Sequence, residues 1–150
     1  MQGETIRGET FTCVHAGPMA EWENFRLDPP SFPRPVRGKM FLQELLGSAG
    51  LEMSLNSFAP GKGMPFFHKH QNNEEVYIIV GGRGQFLVDG KCIDVQEGSV
   101  LRISPAASRA WRNNSDKPLY FLCLQYRADS IVQGTLRDGL KVEGAPSWPE

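Results

Sequence analysis

The residue types and spacing best suited to chemistry lie in one stretch. It runs His68-Lys69-His70, then Gln71-Asn72-Asn73-Glu74-Glu75, then Val76-Tyr77-Ile78-Ile79-Val80-Gly81-Gly82. Two histidines at i and i+2 point to one face of an extended strand, because strand side chains alternate. A carboxylate pair follows after a short polar turn, at the head of an apolar run that reads as the next strand. Folded as a hairpin, this stretch brings two imidazoles and a carboxylate around one point. That is the 2-His-1-carboxylate donor set, which suits iron, manganese, zinc or nickel. Of the chain's three histidines, two are here.

The elements that must position these residues are short. Gly (16) and Pro (11) punctuate brief apolar stretches over 150 residues, the texture of many strands joined by turns. Strands are expected at Thr10–His15, Met40–Leu46, Leu51–Asn56, Phe66–His70, Glu75–Val80, Gln85–Val88, Lys91–Val95, Val100–Ile103, Ala110–Asn113 and Leu119–Tyr126. Asp89-Gly90 carries the signal of a tight type I′ hairpin turn. No stretch has a convincing 3.6-residue apolar period. The expected organisation is a single domain: an irregular N-terminal arm over 1–38, a β-barrel core over 39–127 and a polar C-terminal extension over 128–150. Asp28-Pro29-Pro30-Ser31-Phe32-Pro33-Arg34-Pro35 must be extended, since Pro fixes φ and restricts the residue before it. The arm is expected to wrap the outside of the domain or reach a partner. Trp148 is expected to anchor the extension on the barrel.

A hydrophobic share of 40%, a charged share of 22% and a formal net charge of −1 are ordinary for a globular protein. They give no reason to expect nucleic acid or an acidic membrane surface as partner. Cys13, Cys92 and Cys123 are odd in number and form no CxxC pair, and Met1–Arg7 lacks the apolar segment of a signal peptide. A cytoplasmic protein with free thiols is expected, with Cys92 and Cys123 as inert buried thiols.

Two motifs resemble the cupin superfamily over about Leu51 to Gln125. The first is Pro60-Gly61 followed by His68-x-His70-x4-Glu75-x6-Gly82. The second runs from Gly98 through Pro105 to Asn113. The resemblance implies an all-β fold, a double-stranded β-helix or jelly-roll barrel whose mouth holds the site, in a small single-domain protein. It selects Glu75 over Glu74 as third metal ligand, because the family's ligand glutamate directly precedes the apolar strand. It also implies a homodimer. Aligned on Gly98, Pro105 and Asn113, the family's fourth ligand, a histidine, falls on Arg109, which has no lone pair for a metal.

A three-ligand site of His68, His70 and Glu75 for a divalent transition metal is therefore expected, with no nucleotide cofactor. Arg109 has two readings: an anion clamp for a substrate carboxylate or phosphate, or a structural ion pair with Glu75 or Asp116. Strand parity turns Tyr77 and Trp111 inward beside the site, as substrate-binding residues or as core, and turns Arg112 outward. Phe66 is also expected to face inward. The functional expectation is a metal-binding barrel that takes a small anionic metabolite, as a dioxygenase, isomerase, decarboxylase or lyase. The alternative is a non-catalytic small-molecule-binding barrel in which Arg109 leaves the metal weak or absent.

Overall fold

The computed structural model describes residues 4–30 and 34–149. The N-terminal part contains strands β1 (Glu4–Arg7) and β2 (Thr12–His15), a 3-10 turn at Met19–Asn24, and the short strands β3 (Arg26–Leu27) and β4 (Val36–Arg37). Next come β5 (Lys39–Phe41), the single-turn helix α1 (Gln43–Leu46), β6 (Glu52–Phe58) and β7 (Asn73–Gly81). The chain continues through β8 (Arg83–Val88), β9 (Lys91–Gln96), β10 (Val100–Ile103), β11 (Arg109–Arg112) and β12 (Leu119–Arg127).

Two antiparallel sheets face each other. One has five strands in the order β10-β7-β12-β6-β5, the other three in the order β11-β8-β9. The inner faces enclose Tyr77, Ile79, Phe86, Val95, Ile103, Trp111, Leu119, Phe121 and Cys123. The back of the five-stranded sheet is covered separately. There Trp22, Phe25 and Leu42 pack with Leu55, and the Trp22 ring meets Tyr120 edge-on at 6.1 Å. The N-terminal arm thus lies on the outside of the barrel, where it removes apolar surface from water. The centre of its proline-rich segment, Ser31-Phe32-Pro33, lies outside the described residues.

The turns follow their residues. Asp89 and Gly90 both take positive φ, 46° and 81°, as a type I′ hairpin turn requires. Gly82, which closes the first motif, has φ 80°, and a Cβ there would stand 2.3 Å from the Pro118 carbonyl oxygen. Only glycine fits both the conformation and the space.

Five expectations need correction. The strand expected at Met40–Leu46 stops at Phe41, and Gln43–Leu46 coils into α1. The Glu52 carboxylate, distant in sequence, accepts from the Leu42 and Gln43 amides at 3.2 and 3.0 Å and so holds the start of that turn. Phe66–His70 is not a regular strand. The chain there meets β11 only through isolated bridges, Gly63 with Arg112 and His68 with Arg109, and Pro65 between them has no N–H to give to a ladder. Cys92 is exposed, not buried, and Phe66 is 42% exposed, not inward. Finally, Trp148 is 83% exposed, so it does not pack on the barrel. Ile131, Val132, Leu136, Leu140 and Val142 are exposed along the same extension. No helix among the described residues is long and apolar enough to cross a membrane.

Candidate metal centre

His68 and His70 reach the barrel mouth on the irregular segment beside β11. The His68 amide donates to the Arg109 carbonyl at 3.1 Å and Arg109 returns the bond at 3.0 Å. The His70 amide donates to the Pro105 carbonyl at 2.9 Å. Glu75 comes from the opposite sheet, on β7, where it alternates inward with Tyr77 and Ile79. One ligand atom from each of His68, His70 and Glu75 lies within 4.8 Å of the others. Glu74 points the other way and is taken by Arg102 and by the Tyr126 hydroxyl, the latter at 2.8 Å.

The two oxygens of Glu75 serve different neighbours. Oε2 accepts from the Tyr77 hydroxyl at 2.6 Å and from Arg109 Nη2 and Nε at 2.9 and 3.2 Å. Oε1 accepts from Gln125 Nε2 at 3.4 Å and from the Cys123 thiol at 3.5 Å. His70 Nε2 stands 3.2 Å from Oε1 without hydrogen-bond geometry, and His68 Nε2 stands 3.9 Å from Oε2. Burial alone would raise the Glu75 pKa, but the Tyr77 hydrogen bond and the electrostatic pull of its neighbours, Arg109 among them, outweigh it and bring it to about 2. Burial pushes the Cys123 thiol up to about 12 and the Tyr77 phenol well above its ordinary value, so both remain protonated donors. Burial lowers the His68 pKa, and Arg109 and His70 add to that against the pull of Glu75. A neutral imidazole keeps its lone pair for a metal.

Arg109 is 0% exposed. Besides Glu75, its Nη1 donates to the Ala107 and Pro105 carbonyls at 2.8 and 3.2 Å. Of the two sequence readings, this is the geometry of the ion pair with Glu75; the guanidinium offers no surface to an incoming anion. Tyr77 is fully buried with its hydroxyl committed to Glu75. Trp111 faces the interior with its ring 5.6 Å from that of His68, and its buried Nε1 has no partner.

The donor set fits a divalent metal on three grounds. His68 Nδ1 and His70 Nε2 are buried without a hydrogen-bond partner, a costly arrangement unless something else engages the rings. Ligands about 2.1 Å from one ion and at right angles stand about 3 Å apart, close to the 3.2 Å between His70 Nε2 and Glu75 Oε1. And Oε1 faces His70 with only the long contacts of Gln125 and Cys123, while Tyr77 and Arg109 hold Oε2 in place, so Oε1 is the oxygen suited to a metal.

Residues 54–125 match the family model of the Cupin domain. A cupin protein from Bacteroides fragilis, known from its crystal structure, is 39% identical, with a TM-score of 0.68 over 70% of this chain and 89% of that one. The chain belongs to the cupin family. Another relative, an uncharacterized protein of Methanocaldococcus jannaschii, is 32% identical over 78 residues, 51% of this chain. This cupin spans 62% of that curated relative's length. The Cupin_2 domain of an XRE family transcriptional regulator from Enterobacter cloacae, at 19% identity and a TM-score of 0.52 over 59% of this chain and 93% of its own, shares the fold.

Sequence reasoning missed two members of this cupin's site wall, Gln125 and Cys123, which donate to Glu75. They face Glu75 only because β12 pairs with β7 in the register Gln125 with Glu75 and Cys123 with Tyr77. The alternation of Cys123 and Gln125 along their strand was visible; the register across such a long separation was not.

Proposed function

We propose that this cupin holds a divalent transition metal, iron, manganese, zinc or nickel, through His68, His70 and Glu75, and takes a small anionic metabolite at the barrel mouth. The observation that carries the reading is that one ligand atom from each of His68, His70 and Glu75 lies within 4.8 Å of the others, with His70 Nε2 buried, without a hydrogen bond and 3.2 Å from the ionised Glu75. A metal bound there supplies Lewis acidity, or activates water or O2. The chain's own residues divide the remaining work. Tyr77 and Arg109 are positioning residues that hold Glu75 Oε2 and so aim Oε1. Trp111 walls the pocket, with one N–H left for a ligand's acceptor. The buried aromatic cluster behind them excludes water from the inner side. Dioxygenase, isomerase, decarboxylase and lyase chemistry are all compatible with a three-ligand ion that keeps open positions.

A second reading is favoured by the Arg109–Glu75 pair. A guanidinium beside the ligand carboxylate offsets its charge, so the protein binds small molecules without turnover and holds metal weakly or not at all. Elemental analysis and metal titration separate the two. The wild type is expected to take up one ion per chain on reconstitution with manganese or zinc. His68→Ala and Glu75→Gln should each reduce affinity by about 100-fold or more, as ligand loss does. No ion above background in the reconstituted wild type would leave only the second reading.

A homodimer belongs to this proposal. It is supported by the exposed edge residue Val100 on β10 and by the exposed apolar side chains of the C-terminal extension, surface that a second copy would cover. Sedimentation equilibrium is expected to give twice the 16.7 kDa chain mass; the monomer mass would remove this part. The cytoplasmic assignment is supported by the three free cysteines, Cys13, Cys92 and Cys123. Detection of the protein in a secreted fraction would contradict it.

A further inference from the structure

Arg109 is neutralised inside the wall, but a second cation in the barrel is not. Lys39, on the edge strand β5, sends its ammonium inward to Asn56 Oδ1 at 3.0 Å and Ser54 Oγ at 3.3 Å. The ammonium also lies 4.7 Å from the centroid of the Phe41 ring. Among the described residues no carboxylate stands within ion-pair distance of it. An ammonium has three N–H donors, and two have partners here.

The cradle around Lys39 is rigid. Ser54 and Asn56 are buried, and the Asn56 amide nitrogen donates to the Ser54 carbonyl, the Ser54 hydroxyl and the Phe121 carbonyl. These bonds fix Asn56 Oδ1 toward Lys39. A partly buried ammonium held only by neutral oxygens and a ring face is costly to the fold. An aliphatic residue would fill this edge position at lower cost. Burial lowers the Lys39 pKa, against weaker opposing pulls from carboxylates such as Glu75 and Glu52.

Its place in the sheet joins it to the metal centre. Ser54 stands opposite Cys123 across β6 and β12, and the Cys123 thiol donates to Glu75 Oε1. Lys39 stands opposite Asn56 on the same sheet, and Asn56 stands opposite Phe121 on β12. A cleft of about 440 Å³ is lined by Phe41, which carries the Lys39 ammonium on its face, and by Gln125, which donates to Glu75; Lys39 and the three ligand residues lie behind this lining. Glu52 lines it too, with Oε1 turned to the Leu42 and Gln43 amides. With Glu52 and Glu75 nearby, one ammonium suits a singly charged ligand better than a dianion.

We propose that Lys39 is the anion-recognition residue of this cupin, and that its ammonium, cradled by Asn56 and Ser54, receives the carboxylate of a small monocarboxylic acid bound beside His68, His70 and Glu75. This rests on the reading of the barrel mouth as a small-anion site. It gives Lys39 the role that the sequence offered to Arg109.

The test is an NMR titration of the full chain with lactate, and separately with inorganic phosphate. It is run on metal-stripped and on zinc-loaded protein, for wild type, Lys39→Gln and Lys39→Arg. Glutamine keeps an N–H for Asn56 and removes the charge, so the cradle survives. Wild type is expected to bind lactate more tightly than phosphate. Lys39→Gln should weaken lactate about ten- to a hundredfold in both metal states, the worth of a charge-assisted hydrogen bond. Lys39→Arg keeps the charge and should retain most of the affinity. Equal lactate affinity in Lys39→Gln and wild type, or no lactate binding by wild type in either state, overturns the proposal. Tighter phosphate than lactate overturns the carboxylate assignment. Zinc uptake is measured separately, so a wild type that takes no zinc but binds lactate through Lys39 fails the metal reading and keeps this one.

Discussion

Arg109→Ala is expected to unfold about 10 °C below the wild type when both are free of metal. The guanidinium is 0% exposed and shares Glu75 Oε2 with the Tyr77 hydroxyl. Removing it leaves a buried carboxylate with less compensation, and breaking a buried pair from one side costs about 3–5 kcal/mol. It also removes the Nη1 donor from the Ala107 carbonyl, while the Pro105 carbonyl keeps the His70 amide. For a domain of this size each kcal/mol moves the midpoint by about 2–4 °C. Glu75→Gln in the Arg109→Ala background should recover part of the loss, because it removes the stranded charge. Thermal denaturation of the two single variants and the double variant measures this coupling. Strict additivity would mean that the two side chains do not depend on each other, and the ion pair would have to be abandoned as the organising contact.

Arg109→His is expected to raise metal affinity by about 100-fold or more, the second large effect. At an effective dielectric of about 20, a unit cation about 6 Å from a divalent ion opposes it by about 5 kcal/mol. The substitution removes that opposition and places an imidazole where the motif alignment puts a ligand. Competition titration against a zinc chelator reads the change. An affinity equal to or below wild type would show that position 109 does not face the ion, and the alignment of the second motif would fail there.

The donor set was legible because it is local. His68 and His70 stand two residues apart and reach the same site although their segment is not a regular strand, and the motif spacing chose Glu75 over Glu74. The inward side chains of Tyr77 and Trp111 and the outward one of Arg112 follow from strand alternation. Asp89-Gly90 announced its turn because few residues accept positive φ at both positions. What lay hidden is non-local. The division of Glu75's two oxygens between Arg109 and Tyr77 on one side and Gln125 and Cys123 on the other depends on the register of β7, β11 and β12. Lys39 looked like the boundary of an arm, because nothing near it in sequence reveals that Asn56 and Ser54 face it across two strands. The helix α1 was missed for the same reason: Glu52, which holds its start, comes from the next strand. Trp148 misled because an aromatic residue near a chain end more often packs than not, and here the extension stays exposed.

The central claim is that His68, His70 and Glu75 hold a metal while Arg109 stays on Glu75. Anomalous diffraction from a manganese- or zinc-loaded crystal tests it most directly. The expected result is one peak about 2.0–2.2 Å from a ring nitrogen of each histidine and from Glu75 Oε1, with Arg109 and Tyr77 still bonded to Oε2. No peak among these three side chains, with Arg109 paired to Glu75 in a crystal soaked to saturation, would contradict the account.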